Sequence, residues 1–313
     1  MNTSVNEHFL GVACVILAAI LWGTTGVSAT FAPEVGAAAI GAAAMGVGGL
    51  LQASIAIRTI ARHARALHSQ CRWLLLGALA VAIYPLAFYG SMRLAGVTVG
   101  TVVSIGTAPL LSAIIEMLMD GLRVSIRWVI GAMLGLLGMV LLCLAESSGH
   151  NTLSAAPSIS LGVVLGLLAG LTYALYSWAA RRLMQRQIPA RAAMGSIFGI
   201  GGLLLMPVLF TTGAPFLASW NNAAVGIYMA LVPMFLGYLC FGYGLARIQA
   251  STATTITLLE PVVAAALAAV IVGERLPKMG WISVALIFVC LVCITLPAHT
   301  RKQSPAKPSP TSA

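Results

Sequence analysis

Charge is what this chain has least of. Of its 313 residues only 8% are Asp, Glu, Lys or Arg, and seven in all are acidic. A soluble domain ordinarily carries about 25%, so a water-covered globule is excluded. No Gly-x-x-x-x-Gly-Lys-Ser/Thr stretch occurs, which excludes ATP hydrolysis on a P-loop. The five histidines, His8, His63, His68, His150 and His299, all fall in tails or loops. Without a histidine, a metal cluster or an acid–base pair in an apolar segment, a polytopic membrane enzyme has no reacting groups to assemble. The six cysteines include one Cys-x-x-Cys, Cys290 and Cys293, inside an apolar run with no second pair. Packing, rather than zinc or redox chemistry, is what that context supports. Neither a metal nor a cofactor is expected.

What fills the chain instead is apolar sequence, 60% of the total. Uncharged runs such as Leu10 to Pro33, Trp73 to Met92 and Gly280 to Ala298 match the roughly 20 residues that a spanning helix needs. The short alternating segments of a β-barrel do not appear, and lipid leaves helices as the remaining solution. The expected fold is an all-α integral membrane protein with ten transmembrane helices. They fall near 10–31, 36–57, 73–92, 97–118, 128–146, 160–181, 192–212, 223–244, 250–272 and 279–297. The first run is too long for a signal peptide, and Met1 to His8 carries Glu7 but no Lys or Arg, so this helix is expected to be retained.

The formal charge of +10 reads as topology. With the N-terminus in the cytoplasm, fourteen of the 17 basic residues lie on that side, leaving Arg93, Arg275 and Lys278 outside. Both termini are then cytoplasmic. The expected partner of the basic excess is the lipid bilayer with its anionic headgroups, and not nucleic acid.

The chain also reads as if written twice. Gly11 to Trp22 is matched by Gly162 to Tyr173, 151 positions on; Tyr84 to Gly90 by Tyr238 to Gly244, 154 on; Pro109 by Pro261 and Gly121 by Gly273, 152 on. An odd number of crossings per copy inverts the second copy, and the loops agree. The basic loop Arg58 to Arg72 corresponds to the uncharged Thr211 to Asn222, and the acidic Ala32 to Val35 to the basic Arg181 to Arg191. The expected layout is a cytoplasmic tail (1–9), a first five-helix repeat (10–146), an extracytoplasmic linker (147–159), a second, inverted repeat (160–297) and a disordered cytoplasmic tail (298–313).

Particular runs carry a family resemblance. Ala19-Ile20-Leu21-Trp22-Gly23 near the start, and Leu259-Glu260-Pro261-Val262-Val263 leading to Gly273-Glu274-Arg275-Leu276 near the end, resemble signatures of EamA-type transporters in the drug/metabolite transporter superfamily. The first half departs from the pattern, with Gly121-Leu122-Arg123 where many members have Gly-Glu-Arg. The resemblance implies a secondary transporter in the bacterial cell membrane. Its substrate would be a small metabolite, an amino acid or related neutral or zwitterionic compound, moved by alternating access and most often exported. A lipid or lipid-linked carrier flippase on the same scaffold is the alternative, and a membrane enzyme a more distant one.

Within this frame a few residues carry chemistry. Glu260 sits about halfway along the ninth helix, where an ionised side chain costs roughly 2.5–3.5 kcal/mol. Two roles are open to it: proton coupling or contact with a cationic group, and capping of backbone freed by Pro261. Pro109 and Pro261 are hinge candidates at equivalent places. The aromatic set Trp22, Tyr84, Tyr89, Tyr173, Tyr176, Tyr238 and Tyr243 is expected to line a substrate cavity, because buried hydroxyls in hydrocarbon need partners. Trp73, Trp128, Trp220 and Trp281 read as interface anchors. Hydroxyls such as Thr24, Thr25, Ser104, Thr107, Thr254 and Thr257 are expected to bond back to their own helices. Glu116 reads as an interfacial partner of Arg123 or Arg127.

Overall fold

The computed structural model describes residues 2–95, 97–147, 159–267, 270–271 and 278–295. Most of the expected 147–159 linker, the run Gly273-Glu274-Arg275-Leu276 and the 298–313 tail lie outside the described residues. All regular structure among the described residues is helical. The long elements are α1 (Asn2–Thr30), α2 (Ala37–Arg62), α3 (Cys71–Ala95), α4 (Val97–Asp120), α5 (Ile126–Ser147), α6 (Ile159–Gln185), α7 (Ala190–Thr212), α8 (Trp220–Leu245), α9 (Ala250–Leu267) and α10 (Lys278–Thr295). Nine of them are long and apolar enough to cross a bilayer; the apolar part of α5, Ile126–Leu142, is shorter. A short helix, Ala64–Ser69, bridges α2 and α3.

The main packing partners join the two halves of the chain. α2 lies against α7, α5 against α10, and α4 against α9. The pair α3 with α6 has a counterpart in α8 with α1, and α4 with α6 in α9 with α1. Small residues make these approaches possible, as helix contacts in lipid require. A Cβ added at Gly49 of α2 would stand 2.2 Å from the Phe198 carbonyl oxygen of α7, and one at Gly138 of α5 2.9 Å from the Ser283 carbonyl oxygen of α10. Cys290 is part of the same packing, with its Sγ 2.7 Å from where a Gly135 Cβ would be. Gly121, in the left-handed region at φ +65, ends α4 where a side chain would be strained.

Three helices depart from regular α geometry. α2 carries a π-turn at Ala42–Val47, and α8 one at Ala230–Leu236 around Pro233. In α9 a 3-10 turn, Thr257–Leu259, separates Ala250–Ile256 from Glu260–Leu267. Pro261 cannot donate an N–H to the turn before it, so it belongs at the start of the second half-helix rather than inside one rod. Its counterpart Pro109 lies within the unbroken α4.

Two expectations change. Glu116 is not interfacial: it is 1% exposed. Its carboxylate accepts the backbone N–H of Ala250 at 2.8 Å and of Ser251 at 3.2 Å, and the Ser251 hydroxyl, so it caps the start of α9. The open N-terminus of α9 lies opposite, and its unpaired N–H groups draw the carboxylate inward. Trp128 is likewise buried, packed with Ala132, Cys290 and Ile294, whereas Trp220 and Trp281 are exposed as belt residues should be.

Candidate substrate cavity

Midway along the helices, the breaks and the aromatic residues meet. Trp22 and Thr25 of α1, Tyr84, Phe88 and Tyr89 of α3, Tyr173 of α6, Met234 and Tyr238 of α8 and Glu260 of α9 line one cavity with the π-turn of α2. The cavity encloses about 510 Å³ counting its mouth. Both halves of the chain contribute. In α1, α2 and α3 the lining residues lie toward the end where α1 meets α2, so the cavity is displaced to that side.

The rings hold one another. Trp22 packs on Tyr238 at 4.7 Å between centroids, and Tyr84 on Tyr173 at 5.6 Å. Trp22 Nε1 donates to the Pro233 carbonyl at 2.9 Å, which satisfies a carbonyl in the π-turn of α8. The Tyr173 hydroxyl bonds Thr257 Oγ1 at 2.9 Å, in the 3-10 turn beside Glu260. Tyr176 stands behind the wall, its hydroxyl 2.8 Å from that of Tyr238. Its role is to brace the lining rather than to form it.

Against these satisfied groups, three polar groups on the cavity wall have no hydrogen-bond partner among the described residues: the Tyr84 and Tyr89 hydroxyls and the Glu260 carboxylate. Thr25, also on the wall, is occupied by the Trp22 carbonyl at 2.7 Å. Among the described residues the lining contains no Lys, Arg or His. The site therefore presents one acid, two hydroxyls and aromatic faces, an arrangement suited to a small polar molecule carrying a cationic group. Its place at the start of a half-helix puts Glu260 where a carboxylate is best tolerated.

The profile of the EamA-like transporter family matches residues 9–144 and again 160–296. The chain belongs to that family. Among its relatives is the uncharacterized transporter YwfM of Bacillus subtilis, 30% identical over 94% of this chain and 95% of that one. The threonine/homoserine exporter RhtA of Escherichia coli K12 is 28% identical over 71% of this chain and 74% of its own. A solved crystal structure shares the fold with a TM-score of 0.73 at 19% identity, over 90% of this chain and 95% of the other. The protein is thus a multi-pass membrane transporter that handles a small molecule, and neither the family nor these relatives are enzymes.

Other candidate residues of this EamA chain lie elsewhere. Tyr243 is apart from the cavity, 38% exposed, with Arg247 stacked 3.5 Å over its ring. It lines a separate depression with Gln52, Arg191 and Met194, and among the described residues only Tyr238 borders both. Pro109 is buried away from both spaces, and Pro261 is buried directly after Glu260. The wall residues Met45, Pro85 and Met234 escape a reading based on polar and aromatic residues, and Phe88 escapes one that picks aromatics by their polar atoms. The clue to two of them is the glycine cluster around Met45 and Pro233 beside Met234.

The arginine-rich end is closed by bonds between the two halves. Besides the Glu116 cap, Asp120 of α4 accepts Arg182 and, at 2.8 Å, Trp178 Nε1 of α6. Arg247 donates to Glu7 at 2.6 Å. Within the second half, Arg181 donates to the carbonyls of Leu245, at 2.9 Å, and Ile248, closing the end of α8. The opposite end has mostly neutral links: Asn222 to Glu34 at 3.4 Å, Asn221 to the Phe31 carbonyl, and Tyr228 to Thr24 at 2.9 Å. Of the expected back-bonding hydroxyls, Thr24, Thr25, Thr107, Thr254 and Thr257 bond within their own helices, while Ser104 Oγ has no partner among the described residues.

Proposed function

We propose that this chain is a ten-helix exporter built from two inverted five-helix repeats, the first over 10–146 and the second over 160–297. It carries an amino acid or a related zwitterionic compound across the bacterial cell membrane by alternating access, with both termini cytoplasmic. The observation that carries the reading is the cavity itself: a mid-level space walled by both halves, with a carboxylate at a helix break that has no partner among the described residues. The symmetric helix partners support the inverted arrangement, and the exporter RhtA supports the substrate class and direction.

The mechanism follows from the free groups. Glu260 and the faces of Trp22 and Tyr173 receive the substrate ammonium, and the Tyr84 and Tyr89 hydroxyls receive its carboxylate. With the arginine-rich end closed, the cavity faces outward. Release of the Glu116 and Asp120 contacts opens the other path, in which Tyr243 and its depression, on the far side of Tyr238, become the inward wall. A proton on Glu260 competes with the ammonium, so proton entry expels substrate to the outside and couples the two. Pro261 serves as the hinge at the break, with Pro109 as its rigid mate. A flippase is disfavoured because no basic residue among the described ones lines the cavity.

The test is uptake and efflux by the purified chain in proteoliposomes, over amino acids, amines, purines and cationic drugs. Saturable counterflow of neutral amino acids is expected. Counterflow confined to purines or to lipid would refute the assignment.

A further inference from the structure

A second space has no part in the transport path. Between α2, α3 and α7 runs a lipid-facing groove that begins at the α2–α3 loop. Leu50, Ala53 and Ile60 form one wall and Gly195, Gly199 and Leu203 another, with Ala64, Leu67, His68 and Cys71 at its loop end. It encloses about 1010 Å³ counting its open side, and almost all of its surface is apolar. From Leu50 to Ile60 the wall is roughly 15 Å of helix axis. That is half of the roughly 30 Å hydrocarbon core, the depth of one leaflet.

The charge on the chain segment that forms the loop end of the groove is one-sided. Arg58, Arg62, Arg65 and Arg72 flank the lining residues in sequence and are all exposed. No Asp or Glu occurs between Glu34 and Glu116, and none of the four arginines has an ion-pair partner among the described residues. Arg72 lies over the Trp73 ring at 4.5 Å, so its charge is held at the protein surface. This pattern also excludes two other occupants. The chain's own 298–313 segment carries Arg301, Lys302 and Lys307 and no acid, and a second copy docked by the same face would bring like charges together.

We propose that the groove is a binding site for one anionic phospholipid of the leaflet that meets the α2–α3 loop. An acyl chain fills the apolar channel between α2, α3 and α7, and the phosphate is held by the arginines at its mouth, chiefly Arg62, Arg65 and Arg72. A zwitterionic lipid fits the channel equally well but neutralises the arginines less, so the headgroup charge sets the preference. The site is independent of the substrate cavity and of the direction of transport.

The test uses the full chain extracted from vesicles of phosphatidylglycerol and phosphatidylcholine with identical acyl chains, and reads retained lipid by native mass spectrometry. One phosphatidylglycerol is expected to be retained preferentially. A basic residue near an anionic surface contributes about 1 kcal/mol, so R62A, R65A and R72A together should cut the preference on the order of a hundredfold. Lysine at the same three positions should keep most of it, which separates lost charge from a misfolded loop. Equal retention of the two lipids, or a preference unchanged in the alanine variant, would overturn the proposal. So would a glycerophosphate without acyl chains that competes as well as the intact lipid, since the channel would then have no role.

Discussion

Glu116→Gln separates a capping role from a gating one. In the closed arginine-rich end the carboxylate receives two backbone N–H groups and one hydroxyl at the start of α9. Gln retains one acceptor oxygen of similar shape, but it loses the charge that favours a helix N-terminus and leaves one buried donor without an acceptor. An unsatisfied buried donor costs about 1–3 kcal/mol, and the lost charge about 0.3–1 kcal/mol more. A total of about 2 kcal/mol acts on the closed state alone if the cap breaks when that end opens. The ratio of closed to open forms then falls roughly 30-fold. Thr254, fully buried on α9 just beyond the cap, reports on this change. As cysteine, in a chain with the exposed Cys71 replaced by Ser, it should react with a maleimide applied from the arginine-rich side about 30 times faster when Glu116 is Gln. A lower melting temperature with unchanged labelling would mean that the cap stabilises both states, and the gating argument would fail.

Other consequences are more local. Trp22→Phe removes the N–H that satisfies the Pro233 carbonyl, so about 1–3 kcal/mol of stability should be lost and substrate affinity should weaken, read by thermal unfolding with and without ligand. Gly49→Val drives a side chain into the Phe198 carbonyl at 2.2 Å and should lower the unfolding midpoint sharply, whereas Gly26→Ala, whose Cβ meets nothing within 4 Å, should leave it unchanged. Tyr243→Ala should raise the half-saturation concentration measured from the arginine-rich face and leave the opposite face alone; an equal change on both faces would place Tyr243 in the outward cavity.

Much of this site could be read from residue type and repeat. A tyrosine or tryptophan deep in hydrocarbon must bond something, and in lipid that something is another helix. Hence Trp22, Tyr173 and Tyr238 each find a partner on another helix, Tyr84 joins them by ring packing, and the break beside Glu260 follows from Pro261. The separation of Tyr89 from Tyr243 is what the proposed inverted layout would produce. Tyr89 lies toward the end of α3 next to the cavity mouth, and an inverted second repeat would carry its mate to the other side of the molecule, so a cavity displaced to one side takes only the first. The π-turns were hidden because one extra residue in a helical turn leaves hydrophobic periodicity almost unchanged in a run that is apolar all round. Glu116 was misread for a related reason. Sequence distance to Arg123 and Arg127 is visible, but the N-terminus of α9, 134 residues on, is not.

The proposed exchange of a proton for the substrate at Glu260 is tested most directly by amino-acid transport in proteoliposomes with and without a pH gradient, for the native chain and for Glu260→Gln. The gradient is expected to drive net transport by the native chain, and the Gln variant to retain at most a slow exchange that ignores pH. A Glu260→Gln protein with full transport and an unchanged pH dependence would contradict it.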